Sequence, residues 1–180
     1  NVVKTGTMKF DQKIPVNIPE INLDSVFDKN TKVLLAASTH PGEEKFIVEI
    51  FSRLKNNYSD LRLVIIPRHA ERGGDIVDIL DELKISYIRR SEGKGNLRNV
   101  NCLLADTTGE MLSFMDAADI VIMGKSFAGN DGGHNIIEPA ILGKPIVCGK
   151  KLKNFRFVLN IMKDNNAVLS VEDENLEKTI

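Results

Sequence analysis

The stretch "FAGNDGGHNIIEPAILGKPIV" (127–147) has the residue types that suit the binding of an anion. Gly132 and Gly133 let a ligand approach the backbone closely. A helix predicted to begin near Asn135, with His134 beside it, would offer unpaired N–H groups and a positive dipole end. That interaction contributes about 0.3–1 kcal/mol, or ~2 kcal/mol when partly buried, which is too little to hold a substrate alone.

A fixed cation that could complete such a site stands in "IPRHAER" (66–72), where Arg68 follows a predicted strand. Charge-assisted hydrogen bonds contribute roughly 1.5–3 kcal/mol each. Arg68 and the helix start near Asn135 together predict a phosphate site that needs no metal ion. His69 and His134 are either members of this site or ordinary turn residues.

Two glutamates have alternative interpretations. Glu138 could accept hydrogen bonds from two adjacent hydroxyls, as on a ribose, or could form a capping box with Asn135, three residues earlier. In "DTTGEM" (106–111), Glu110 has the same spacing from Thr107, and there capping is the favoured interpretation. Gly109 and Glu110 nevertheless follow a predicted strand and stay candidates for ligand binding.

Two hydroxyl residues end the first predicted strand. Ser38 and Thr39 either cap the next helix, with Pro41 in its first turn, or line a ligand cleft. The exact capping-box spacing is missed, because Gly42 stands three residues after Thr39.

Several sites are not predicted. "GKS" (124–126) ends like a P-loop, but Asp119 replaces the first glycine, so we expect no cradle of backbone amides there. The loop "GKGNLR" (93–98) lacks the third glycine of a dinucleotide fingerprint. The chain has three histidines, and none has a Cys or carboxylate at ligand spacing. No metal site is therefore predicted. His40 has no partner that the sequence assigns. Neither a metal nor another cofactor is expected.

One basic cluster admits two interpretations. Its members are Arg89, Arg90, Lys94 and Arg98. A solvated loop is favoured, and contact with another domain or an anionic surface is the alternative.

These residues must be positioned by an alternation of apolar strands and amphipathic helices. Strands are predicted at 32–38, 61–67, 85–88, 100–105, 119–124, 145–149 and 167–171. Helices are predicted around 46–54, 75–83, 108–117, 135–142 and 154–164. The alternation predicts an α/β, Rossmann-like doubly wound parallel sheet, which binds ligands at the carboxyl ends of its strands.

The bulk properties fit one globular domain. Of 180 residues, 42% are apolar and 27% charged, and the net charge of −1 gives no general attraction to nucleic acid. No apolar run approaches the ~18 residues of a membrane span. Cys102 and Cys148 are predicted to be buried, reduced thiols. We expect a piece of a longer protein, with a linker or domain start at 1–24 and a nucleotide-sugar-binding domain at 25–180.

Taken in order, these turns resemble the carboxyl-terminal half of 3-deoxy-D-manno-octulosonic acid (Kdo) transferases, which have the two-domain GT-B fold. The resemblance rests on "TGTMKFD" (5–11), "STHPGEE" (38–44), "IPRHAER", "DTTGEM", "GGHNIIEPAILGKPIV" (132–147) and "NF" (154–155). It extends over nearly the whole chain. Pro41, Ala70, Gly73 and Lys125 stand where many members of the family would have other residues.

The resemblance implies a CMP-Kdo donor, bound through its phosphate by Arg68 and the "GGHN" helix start. Glu138 would hold the ribose, and Ser38 and Thr39 would line the cleft. The implied reaction transfers Kdo to a lipid A precursor with inversion and without metal, in lipopolysaccharide biosynthesis at the cytoplasmic face of the bacterial inner membrane. The acceptor site, the membrane anchor and the general base would belong to an amino-terminal domain, so this chain alone should be inactive.

Two other functions stay open at this point. One is a GT-B enzyme that uses a UDP-sugar, either a transferase or an epimerase. The other is a non-catalytic nucleotide-binding module with the same fold.

Overall fold

The computed structural model describes residues 8–15, 17–93 and 99–180. The predicted basic cluster and the "GKGNLR" loop are therefore only partly covered, since Lys94 and Arg98 lie outside these ranges. The motif "TGTMKFD" (5–11) is also partly covered, and the described part of it begins at Met8.

Seven parallel strands form one sheet, and the predicted strand–helix alternation is confirmed. The strands are β1 (Lys32–Thr39), β2 (Leu61–Pro67), β3 (Tyr87–Arg89), β4 (Cys102–Leu104), β5 (Ile120–Met123), β6 (Ile146–Gly149) and β7 (Leu169–Val171). The α-helices are α1 (Glu43–Lys55), α2 (Gly73–Glu82), α3 (Met111–Ala117), α4 (Ile137–Ile141), α5 (Arg156–Asp164) and α6 (Leu176–Thr179). Short 3-10 helices lie at Met8–Asp11, Leu23–Ser25, Ala70–Arg72, Arg90–Glu92, Lys153–Phe155 and Asp173–Asn175.

The strand order is β3-β4-β2-β1-β5-β6-β7. The chain runs from β1 to one side of the sheet, and later passes from β5 to the other side. The connections leaving β1 and β5 therefore diverge, and the carboxyl ends of these two neighbouring strands form a topological switch point. That is the place where a doubly wound sheet leaves a crevice for a ligand.

Both faces of the sheet are covered by apolar packing. Val33, Leu35 and Ala37 of β1 point into one core cluster, which includes Phe114 of α3 and Val158 of α5. Leu34 and Ala36 point into the other, which α1, α2 and α6 complete. This two-residue alternation is what a strand buried on both faces requires.

Some boundaries differ from the predicted ones. β3 begins at Tyr87 rather than Ile85, because the N–H of Ile85 is bound to the carbonyl of Leu80 as part of the turn that ends α2. α4 begins at Ile137, two residues later than predicted, because Ile136 is the N-cap and the Asn135 side chain accepts the N–H of Ile137.

The two cysteines are buried and not disulfide-bonded, as predicted. Burial raises the pKa of the Cys148 thiol to about 12 and that of Cys102 further, so both stay protonated. Within the described ranges, no helix is both long enough and apolar enough to cross a bilayer.

Candidate functional site

Three histidines meet at the carboxyl edge of the sheet. The Nε2 atoms of His40 and His134 are 2.8 Å apart, and their rings stack at 5.0 Å with an interplanar angle of 22°. His69 lies edge-on to His40 at 6.3 Å. The sequence reasoning missed the His40–His134 pair because 94 residues separate its members. No grouping of His, Cys, Asp and Glu with metal-binding geometry occurs among the residues described.

The electrostatics of this cluster are those of an anion site. Burial is the main cause that lowers the pKa of His134 to about 4, and His40, Arg68 and Lys125 add to it. Burial and Lys125 also lower the pKa of His40, against the opposing effect of Glu44. Both rings are therefore neutral at pH 7. Neither Arg68 nor Lys125 forms an ion pair with any residue in the described ranges. The positive charges of these two side chains are thus not neutralised by an ion pair within the described part of the chain.

A buried carboxylate near His40, Glu44, is already paired with an arginine. Glu44 is fully buried. Its carboxylate accepts hydrogen bonds from Arg72 Nη1 at 2.6 Å and from Arg72 Nη2 at 3.3 Å. This bidentate pair ties the start of α1 to the turn after β2, which carries Arg68 and His69. It therefore fixes the position of the two turns relative to each other.

A second buried carboxylate holds the loop after β5. Glu43 Oε1 accepts from the N–H groups of Ser126 (2.8 Å) and Phe127 (2.9 Å), and Oε2 accepts from those of Lys125 (2.7 Å) and His40 (2.9 Å). Burial raises the pKa of Glu43, and these four donors partly offset that effect. The result is a rigid connection between the loop that carries His40 and the loop that carries Lys125.

Our expectation that "GKS" has no cradle of backbone amides is wrong. The N–H groups of Lys125, Ser126 and Phe127, which we call the amide cradle, do converge as they would on a phosphate. They converge on Glu43 instead, a residue 82 positions or more earlier in the chain. The sequence pattern gave no sign of this contact, because it depends entirely on tertiary structure.

The end of β1 is irregular. Ser38 has a positive φ of 56°, and the register between β1 and β2 shifts between Ala37 and Thr39. A Cβ at Gly124 would overlap the carbonyl oxygen of Ser38, so glycine is needed there for the two strand ends to approach. Backbone strain of this kind is common at ligand sites.

Ser38 and Thr39 have different surroundings. Neither caps α1, whose N-cap is Gly42, so the capping interpretation is wrong. Ser38 lines a cavity of about 160 Å³ together with Arg68, Thr107, Thr108 and Gly109. Thr39 is fully buried, and its Oγ1 has no hydrogen-bond partner in the described part of the chain.

The glycines of "GGHN" serve the protein's own packing. A Cβ at Gly132 would overlap the Lys125 side chain, and one at Gly133, whose φ is 71°, would overlap Leu152. The N–H of Gly133 donates to the carbonyl of Lys125 at 2.7 Å. These contacts place His134 beside His40, and the two glycines therefore position the imidazole pair.

The capping box expected at Asn135 and Glu138 does not form. Asn135 Oδ1 accepts from the N–H of Ile137 at 3.1 Å, and Asn135 Nδ2 donates to Gln12 at 2.7 Å. Asn135 therefore accepts the first N–H of α4 from the position before the N-cap residue, Ile136. The half-buried carboxylate of Glu138 makes no side-chain hydrogen bond or ion pair with another described residue, so no structural partner occupies it.

The capping interpretation of Glu110 is also wrong. α3 begins at Met111, and Glu110 occupies the N-cap position without a side-chain cap bond. Its carboxylate accepts from Thr107 Oγ1 at 2.6 Å and from Arg90 at 2.6 and 3.2 Å. Arg90 is the main cause that lowers the pKa of Glu110. This carboxylate is thus already engaged, whereas Gly109 stays at the cavity wall.

The favoured solvated-loop interpretation fails for the two described members of the basic cluster. Arg89 donates to the buried Asp106 at 2.8 and 2.9 Å, and Arg90 pairs with Glu110. Ser91 also donates to Asp106, through its N–H and its hydroxyl. These arginines stabilise the turn that carries residues 106–110.

Known proteins are similar to this chain in sequence and in fold. Residues 41–125, under half of the chain, match the family described as Glycosyl transferase family 2. A 3-deoxy-D-manno-octulosonic acid transferase from Haemophilus influenzae is 30% identical over 98% of the chain. The crystal structure of the C-terminal CMP-Kdo binding domain of WaaA from Acinetobacter baumannii is 34% identical. It superposes with a TM-score of 0.74, over 79% of this chain and 74% of that one.

The chain belongs to the Kdo transferase family. It spans 42% of the length of the Haemophilus Kdo transferase. The resemblance predicted from the turn motifs is therefore confirmed.

A more distant structure shows the fold alone. UDP-GlcNAc 2-epimerase from Neisseria meningitidis superposes with a TM-score of 0.50 at 18% identity, over 84% of this chain and 34% of that one. The predicted fold class, an α/β Rossmann-like doubly wound sheet as in the C-terminal half of a GT-B glycosyltransferase, is confirmed by the parallel sheet and the Kdo transferase match. The UDP-sugar alternative gains no comparable support.

Proposed function

We propose that this chain is the donor-binding domain of a Kdo transferase and binds CMP-Kdo at the carboxyl edge of β1, β2 and β5. The observation that carries the proposal is the convergence of Arg68 and Lys125 on the His40–His134 pair, with neither cation in an ion pair to a described residue. A phosphodiester supplies one negative charge and suits such a site. The similarity to the C-terminal CMP-Kdo binding domain of WaaA supports the same donor.

The remaining candidate residues have separate roles in this proposal. Glu138 would accept hydrogen bonds from the ribose hydroxyls, since its carboxylate is free of hydrogen bonds and ion pairs to the residues that the structure describes. Ser38 and Gly109 would line the cleft beside Arg68. His134 and Asn135 would approach the donor from the "GGHN" side, and His69 from the other. Thr39 and Glu110 would contribute through the shape of the cleft, because one is buried and the other is paired.

The proposed reaction transfers Kdo from CMP-Kdo to a lipid A precursor, with CMP as the leaving group. Arg68 and Lys125 would stabilise the charge that develops on the leaving phosphate, which is an electrostatic form of catalysis. No step needs a metal ion or another cofactor. In this proposal residues 25–180 form the donor domain, and residues 1–24 lead into it.

The acceptor site and the general base would lie in an amino-terminal domain of a two-domain GT-B enzyme. That domain would also bring the enzyme to the cytoplasmic face of the bacterial inner membrane. The lipid A precursor is the acceptor that the name of the transferase relatives supports.

Calorimetry with CMP, UMP and UDP tests the donor assignment. We expect CMP to bind best, and Arg68→Ala to weaken CMP binding by about 10-fold or more, since a charge-assisted hydrogen bond contributes roughly 1.5–3 kcal/mol. Arg53→Ala is the matched control, because Arg53 pairs with Glu177 on the surface of α1. A strong preference for UDP would instead favour a UDP-sugar enzyme, and loss of affinity in the control would contradict the site.

A further inference from the structure

A groove lined by cations lies next to the proposed donor site, beyond the end of β6. It encloses about 620 Å³. We call it the cationic groove, and its charged lining residues are Lys150, Lys151, Lys153, Arg156 and Lys163. Leu152, Leu159, Asn160 and Ser170 complete the lining, which includes no carboxylate.

Two of the five cations are neutralised from outside the groove. Lys150 pairs with Glu172 at 3.0 Å, and Lys153 pairs with Asp131. The other three side chains are exposed and form no ion pair with any residue that the structure describes: Lys151, Arg156 and Lys163. A net positive charge therefore remains in the groove and faces solvent.

An apolar ridge runs beside the groove on α5. Arg156, Asn160 and Lys163 follow one another at helical spacing and face the groove. Phe157 and Ile161, each one position further along the helix, are 55% and 36% exposed. The third side of the helix is buried in the core. Exposed large apolar side chains adjacent to unpaired cations are typical of helices that lie in a membrane interface.

We propose that α5 and the loop 150–153 dock onto an anionic lipid surface. Lipid phosphates would occupy the cationic groove, and Phe157 and Ile161 would enter the boundary between headgroups and acyl chains. A small soluble anion would use the cations but not the ridge. A neutral bilayer would use the ridge but not the cations. An anionic lipid surface uses both the cations and the ridge, and the inference does not depend on nucleotide binding.

Vesicle sedimentation of the 180-residue chain tests this proposal. We expect binding to mixed phosphatidylcholine and phosphatidylglycerol vesicles and little to phosphatidylcholine alone. Each cation near an anionic surface contributes about a fivefold factor. The double variant Lys151→Gln, Lys163→Gln should therefore weaken binding roughly 25-fold. The control Lys29→Gln, Lys178→Gln removes the same charge from exposed positions away from α5 and should bind as the unmodified chain does.

The apolar ridge has its own test. Phe157→Ser with Ile161→Ser should weaken vesicle binding about tenfold, because the buried apolar area is lost. Thermal melts check that all variants are folded. If the lysine variant does not fold, the effect of salt on vesicle binding by the unmodified chain is measured instead. Comparing anionic with neutral vesicles then separates the contribution of the cations from that of the apolar ridge.

Three results would overturn the proposal. The first is equal binding to anionic and neutral vesicles, and the second is equal loss in the control pair. The third is displacement from vesicles by inorganic phosphate beyond the effect of chloride at equal ionic strength, which would identify the groove as a site for free phosphate.

Discussion

The hydrogen bond between His40 and His134 can form only while one ring carries a proton on Nε2 and the other does not. Burial and nearby cations lower the pKa of both rings and so maintain this neutral pair. An anion bound beside Arg68 and Lys125 would oppose those cations. Protonation of the pair and binding of an anion should therefore favour each other.

The stability of the unliganded chain should depend on the protonation of His134. Its pKa is about 4 in the folded chain, below the ordinary value of 6.5, so the unfolded chain binds more protons between these values. The stability that the neutral ring contributes is complete above pH 6.5 and is lost as the pH falls towards 4. Urea unfolding across this range measures the loss.

Variants and ligand make that measurement specific. His134→Gln should flatten the pH dependence. His69→Gln should keep it, because His69 is exposed and lies outside the hydrogen bond. Saturating CMP should also flatten it, since the phosphate would favour a protonated pair. An unchanged slope in His134→Gln would contradict this account.

Glu138 and Asn135 are neighbours on the same turn with separable roles. Glu138→Gln should lower the affinity for CMP about tenfold and leave the free energy of unfolding within ~0.5 kcal/mol, since no structural partner is lost. Asn135→Ala should instead cost about 0.5–2 kcal/mol of stability, because it removes the side-chain acceptor of the first N–H of α4. Calorimetry and urea unfolding of both variants separate the roles. A Glu138 variant as destabilised as the Asn135 variant would indicate a structural carboxylate.

At the scale of elements, α1 and the loop after β5 are joined by Glu43. Glu43→Ala would leave four N–H groups without their acceptor, two of them in buried and two in part-buried hydrogen bonds, and we expect a loss of about 3–5 kcal/mol. Glu82→Ala removes a carboxylate that is largely exposed and paired with Lys45, and should cost under about 1 kcal/mol. Urea unfolding measures both variants.

Amide exchange gives a local measure of the same connection. The N–H groups of Lys125, Ser126 and Phe127 should exchange faster in the Glu43 variant than in the Glu82 variant. Equal exchange in the two variants would show that the amide cradle does not need Glu43.

Elements with a strong local pattern were predicted from the sequence. β1 and β2 are continuous apolar runs, and their predicted bounds agree with the structure to within one residue. Helix starts were predicted less well. The spacings at Thr107 and Asn135 indicated capping boxes that do not form, because tertiary partners such as Arg90 and Gln12 take the polar groups. The simple capping considered for Ser38 and Thr39 is also absent, since the N-cap of α1 is Gly42.

The candidate site was predicted only in part, because some of its contacts follow from strand topology and others depend on tertiary structure. Arg68 and the "GGHN" turn follow strands that end at one edge, so their meeting follows from topology. The contacts of His40 with His134 and of Glu43 with residues 125–127 join positions more than 80 residues apart. No local spacing could indicate them.

At the scale of the whole molecule, donor binding and transfer should be separable. The chain mixed with CMP-Kdo and a lipid A precursor should give no product, because the proposed general base lies in another domain. Chromatography of labelled lipid measures the product, and a full-length Kdo transferase in the same assay is the control. Transfer by this chain alone would show that it contains a complete active site.

The amide cradle has a consequence for which nucleotides the molecule accepts. Residues 125–127 already hold a negative charge that is covalently part of the chain and cannot be exchanged. A nucleoside diphosphate would find those three N–H groups taken, and its second phosphate would have to lie elsewhere. Glu43 would in this way compete with a second phosphate for these three N–H groups, and the chain would favour ligands with a single phosphate.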